Sequence, residues 1–146
     1  MTVVAMVVAA LIFVPLLAAG LAHLVWSTGL TWPLRDRDLL FRTVVGRAGG
    51  TVMPNRFLTL IVSLCIFAAG VFALSLADPA SGGVLLTLVG VVLAAVFLAR
   101  GIIGFTPGWR SRFPVEPFAT YDRRLYSPLI LAIGIGFLIL VILRLL

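Results

Sequence analysis

Residues 3–25 read VVAMVVAALIFVPLLAAGLAHLV, and residues 26–38 continue WSTGLTWPLRDRD. The first stretch holds no acidic or basic group except the imidazole of His23, the one histidine of the chain. A helix rises 1.5 Å per residue, so about 20 apolar residues cross the hydrocarbon of a bilayer. The stretch is long enough. It then closes with Trp26 and Trp32, followed by Arg35, Asp36, Arg37 and Asp38 in alternating sign. This is the order of a membrane span and its interfacial rim. A cleaved leader is not expected, because residues 1–10 carry no basic side chain and the apolar run continues past Ala18 and Ala22.

Working outward, three more runs have the same character: residues 57–76, 84–103 and 129–146. Arg100 and Arg144 lie near the ends of the last two. The chain has 146 residues, 62% hydrophobic and 11% charged, whereas a soluble domain is about a quarter charged. The expectation is an all-α, polytopic membrane protein. It is a four-transmembrane-helix bundle forming a single domain over residues 1–146, with spans near 3–25, 57–76, 84–103 and 129–146.

The net charge of +6 does not point to nucleic acid. All eleven basic residues are arginine, and Ala, Gly, Val and Leu are abundant, as a GC-rich bacterial genome would give. The single Cys65 has no internal disulfide partner and reads as a small hydrophobe.

Four crossings put the first and third connections on one side. Ten arginines then fall on that side, against Arg144 alone on the other. The positive-inside rule places both Arg-rich loops in the cytoplasm and both termini outside, in a bacterial inner membrane. Trp26, Trp32, Trp109, Tyr121 and Tyr126 join the arginines. Opposite them lies only the tight link ADPASGG, residues 77–83, and the end of the chain.

Several local features are legible. Asn55 is a good N-cap for the second span. Ser127 precedes Pro128 and is expected to leave the α region and cap the fourth. Gly101 and Gly104 are expected to loosen the end of the third, and Pro107 to end it. Pro15 is expected to kink the first. Small residues four apart (Ala18 and Ala22, Ala69 and Ala73, Gly90 and Ala94, Ala132 and Gly136) suggest close helix packing. In the first loop, Leu40, Phe41, Val44 and Val45 form an apolar stripe, with Arg35, Asp38 and Arg42 on another face. Residues 35–46 read as a short amphipathic interfacial helix, after which Gly46, Gly49 and Gly50 release the chain.

Ionisable groups near hydrocarbon seek partners. Arg100 is expected to pair with Asp122 or Glu116, because the loop that carries them returns beside the third span. His23 can join that network, with Trp26 one turn along the same face. His23 and Arg100 each have a plain alternative, as a hydrogen-bonded interfacial histidine and as a snorkelling arginine. The aromatic set reads equally as a membrane belt. The candidate ligand-binding residues are His23, Trp26, Trp32, Arg100, Tyr121 and Asp122. The candidate acid/base residues are His23, Asp122 and Glu116. One histidine and one cysteine leave no zinc cluster, and no Walker, dinucleotide or G-x-S-x-G motif is present. No metal and no cofactor is expected.

The pattern H-x-x-W-x-x-G-x-x-W-P, here His23, Trp26, Gly29, Trp32 and Pro33, resembles the bacterial membrane proteins grouped as domain of unknown function 3995. VVGRAGGTVMP, FLARGIIGFTP and PFATYDRRLYSPL extend the resemblance over nearly the whole chain. The resemblance implies a four-helix membrane protein and no activity. Relatives often carry a cysteine after S-P-L; here Ile130 stands in that place, so no role of that thiol carries over.

Three functions fit. The first is a cytoplasmic-side interfacial pocket for a lipid-like or amphiphilic anionic ligand. The second is an accessory subunit packing against itself or a membrane partner. The third is a membrane enzyme with His23 as acid/base, ranked last because no catalytic motif supports it.

Overall fold

The computed structural model describes residues 3–47, 54–78 and 80–146. Among these the chain is helical, and four helices are long and apolar enough to cross a membrane. Helix α1 spans Val3–Ser27, α2 Arg37–Val44, α3 Arg56–Leu76 and α4 Gly83–Ile103. Short helices α5, Pro107–Arg112, and α6, Phe118–Tyr121, follow. A π turn, Asp122–Tyr126, leads straight into α7, Ser127–Leu145. Gly49 and Gly50 lie outside the described residues.

The bundle is built from two tight pairs, α1 with α3 and α4 with α7, which α1 and α7 join. The core is small-residue rich: Ala5, Ala9, Ile12 and Leu16 of α1 meet Ala69 and Ala73 of α3 and Ile133, Phe137 and Leu140 of α7. Phe97 stacks on Phe137 at 5.6 Å between ring centroids. Only 22–33% of each span's most apolar window is buried, although mean hydropathy there is 2.4–2.7. Apolar surface on that scale is not tolerated in water, so the outward faces belong to hydrocarbon.

In lipid, packing and interhelical hydrogen bonds replace the hydrophobic drive. Ser63 supplies one such bond. Its hydroxyl, fully buried, donates to the Gly20 carbonyl at 2.8 Å. Ser63→Ala is expected to destabilise the α1–α3 pair by about 0.6–1.7 kcal/mol, read as a lower unfolding midpoint in detergent. The close face of α1 is Ala5, Ala9, Ile12, Leu16 and Gly20. Ala18, expected to pack, is exposed. Span α1 is apolar all round, so spacing of small residues alone does not select its buried stripe.

Local capping agrees with residue chemistry. Asn55 Oδ1 accepts from the Phe57 N–H at 2.8 Å. Asp36 caps α2 by accepting from the Asp38 N–H at 3.0 Å, which starts that helix two residues later than expected. Its apolar residues Leu40 and Phe41 are buried, and α2 packs on α6. The first Arg-rich loop is therefore seated on the second as well as amphipathic. The Val115 N–H donates to the Gly46 carbonyl at 3.3 Å, and the Tyr126 hydroxyl to the Thr43 carbonyl at 3.3 Å. Gly46, at φ +61°, lies where Phe118 leaves no room for a Cβ.

Ser127 departs from expectation. It is α-helical, at φ −65° and ψ −43°, and fully buried rather than capping. Its N–H donates five residues back to the Asp122 carbonyl. Pro128 has no N–H to give, and the π turn absorbs the missing bond, so the helix continues.

At the other end, Arg144 of α7 donates to the Asp78 carbonyl at 2.8 Å, to Thr87 Oγ1 at 3.0 Å and to the Ser81 carbonyl. This closes the 77–83 link onto the end of the chain. The Ser81 hydroxyl, then the Ala80 N–H, hold the Asp78 carboxyl below the usual aspartate range. A lowered folded pKa stabilises above the ordinary value and is lost as pH falls through the folded one. Detergent melts taken downward from about pH 4 are expected to lose this contribution in the wild type and to lose less in Ser81→Ala.

Candidate functional site

Arg100 occupies the last turn of α4, where hydrocarbon gives way to the loops. Gly101 beside it lets α4 approach α7 until a Cβ there would lie 2.7 Å from Leu131 Cα. That approach brings Arg100 Nη1 to Ser127 Oγ at 3.1 Å. Gly101 and Gly104 thus serve contact rather than looseness: a Cβ on Gly104 would run into Ser127 Oγ. Beyond Gly104, Thr106 caps α5 by accepting from the Trp109 N–H at 3.3 Å, with Pro107 at its first position. This turn folds α5 back over the guanidinium, which sits 4.2 Å from the Trp109 ring centroid.

Asp122, 3% exposed, closes the cluster. Its Oδ1 accepts from Arg100 Nη2 at 2.7 Å and its Oδ2 from Trp109 Nε1 at 2.9 Å. Both oxygens have a donor, as a buried carboxylate requires. The Arg100 charge is therefore matched within the protein. Of the two carboxylates expected to pair with Arg100, Asp122 does so. Glu116 instead accepts from the Thr120 N–H at 3.2 Å and the Thr120 hydroxyl at 3.0 Å.

Above this cluster lies a recess of about 220 Å³. Trp109 and Phe113 form an aromatic wall, Asp122 is part of the lining, and Arg110, Arg123 and Glu116 bring exposed charge to its rim. Among the described residues no three His, Cys, Asp or Glu side chains gather to hold a metal.

A family model described as "Protein of unknown function (DUF3995)" matches residues 16–137. The chain belongs to that family. The match begins within α1, ends within α7 and takes in every residue of the cluster and the recess. No curated protein and no solved structure matches the chain.

Of the remaining candidates of this DUF3995 member, His23 and Trp26 lie on α1, Trp32 follows it and Tyr121 ends α6. His23 Nδ1 lies 2.8 Å from the Ala19 carbonyl, and its ring is 5.0 Å from that of Trp26. Trp26 Nε1 donates to the Trp32 carbonyl at 2.8 Å, while the Trp32 ring is 67% exposed. Tyr121 is exposed, with Tyr126 6.1 Å away between rings. The structure thus joins Arg100 to Asp122, and His23 to Trp26, as separate clusters. Trp109, Ser127, Arg110 and Arg123 were not among the sequence candidates. Trp109 reads from sequence as a belt residue and Ser127 as a cap. The signal for Trp109 is Thr106-Pro107, which starts a turn that carries the indole back toward Arg100.

Proposed function

We propose that this DUF3995 member is a single four-helix domain of a bacterial inner membrane that holds an amphiphilic ligand by its anionic head. The Arg-rich loops are cytoplasmic and both termini lie outside, on the ten-to-one distribution of arginines. The observation that carries the reading is the recess flanked by Arg110 and Arg123. Arg100 is occupied by Asp122, so it acts as the strut that holds α5 against the π turn. The two rim arginines meet the head. Trp26 and Trp32 anchor the α1 side of the same interface.

Acid/base chemistry is less favoured by these contacts. Asp122 is bonded to Arg100 and Trp109, and His23 to its own helix. The volume also favours a head over a whole molecule, since sites for drug-sized ligands start at about 300 Å³.

The test is native mass spectrometry of the detergent-purified protein with phosphatidylglycerol. A charge-assisted hydrogen bond contributes about 1.5–3 kcal/mol. Arg110→Ala/Arg123→Ala is therefore expected to weaken retention at least about tenfold. Unchanged retention in a folded double variant would remove the reading.

A further inference from the structure

We propose that the recess selects a head carrying a primary ammonium beside its phosphodiester, as aminophospholipids do. The inference rests on the reading of the recess as a headgroup site and specifies its chemistry.

What sets the preference is the charge left over once internal pairs are closed. Asp122 is matched by Arg100. The rim then offers the guanidinium groups of Arg110 and Arg123 and the carboxylate of Glu116. Both hydrogen bonds to that carboxylate come from neutral donors of Thr120. The nearby Arg42 donates its Nε–H at 3.2 Å to the Glu116 backbone carbonyl. An ionised carboxylate has about four lone-pair sites, so Glu116 retains both charge and acceptor capacity.

Two cations and one anion around a small recess complement a ligand with the reverse pattern, phosphate and ammonium together. A purely anionic head meets Arg110 and Arg123 but brings no positive charge to Glu116. A trimethylammonium has no N–H for Glu116 and depends on aromatic faces. Part of that aromatic surface is already taken: Arg100 lies over Trp109, and the Phe113 ring centroid is 4.3 Å from that of Trp109. A primary ammonium needs neither ring and donates up to three hydrogen bonds.

The experiment uses the full chain in detergent and native mass spectrometry. Phosphatidylethanolamine, its mono-, di- and trimethylated forms and phosphatidylglycerol are compared with identical acyl chains. Retention is expected to fall along the methylation series, by about tenfold from primary to quaternary. In Glu116→Gln, which keeps an acceptor for Thr120, that slope is expected to flatten while phosphatidylglycerol retention holds or rises. Soluble glycerophosphoethanolamine is added as a competitor: displacement assigns recognition to the free head, and none assigns it to the lipid. A flat methylation series in the wild type overturns the ammonium subsite while retained phosphatidylglycerol leaves the anionic-head reading standing. Retention of no lipid overturns both. The wild-type series decides the matter even where Glu116→Gln fails to fold.

Discussion

Asp122→Ala is expected to lower stability by about 3 kcal/mol, near the lower end of the cost of breaking a buried ion pair. The Arg100 side chain is 28% exposed and Asp122's 5%, so water relieves part of the charge left behind. The loss has two parts. Arg100 is left cationic at the edge of hydrocarbon without its carboxylate, and Trp109 Nε1 loses its acceptor. Asp122→Asn keeps one acceptor but still leaves the guanidinium unmatched, so it is expected to fall between wild type and Asp122→Ala. The double variant Arg100→Met/Asp122→Leu is expected to be more stable than Arg100→Met or Asp122→Leu alone, because it buries no unpaired charge. Unfolding midpoints in one detergent compare the wild type, the two Asp122 variants, the two single variants of the pair and the double variant. Additive losses would show that the pair does not act as a unit.

Gly101→Ala and Gly134→Ala give the second large effect. A Cβ on Gly134 would lie 2.7 Å from Leu98 N, and one on Gly101 2.8 Å from Leu131 N. These obstacles are backbone, so neither rotamer change nor side-chain movement removes them, and α4 and α7 must separate. Overpacking of this kind costs about 1–3 kcal/mol per site. It outweighs the helix propensity that alanine gains over glycine, about 1 kcal/mol. Gly108→Ala is the control. Nothing lies within 4 Å of a Cβ there, so the propensity gain is expected to stand alone, with an unchanged or higher midpoint. Opposite signs at Gly101 and Gly108 would separate packing from propensity. The Gly101 variant is also expected to weaken ligand retention, because Arg100 and Ser127 meet across that contact.

The four long apolar helices were legible because length and hydropathy decide them. The Arg100–Asp122 pair was legible for a related reason. An arginine at that depth needs a counter-charge, and the following loop carries one back. The packed faces were not legible. Residues around α1 or α4 are nearly all apolar, so periodicity gives no contrast between lipid and neighbour. Ala18 and Ala9 look alike in sequence; only the fold exposes one and buries the other. Ser127 was hidden by a general rule about residues before proline, which the π turn at Asp122–Tyr126 sets aside. Trp109 was hidden because an interfacial indole has an ordinary belt role, and its acceptor lies thirteen residues onward.

The proposed placement of the recess at a single, cytoplasmic membrane surface is tested most directly by cysteine accessibility. In a Cys65→Ala background, cysteines replace Arg35 and Ser111 in the two Arg-rich loops and Ala80 in the link between α3 and α4. Intact cells are treated with a membrane-impermeant maleimide. The account predicts labelling at position 80 alone, with positions 35 and 111 reacting only after lysis. Labelling of 35 or 111 in sealed cells would place the guanidinium-rich end outside, and equal labelling of 80 and 111 would contradict the four crossings themselves.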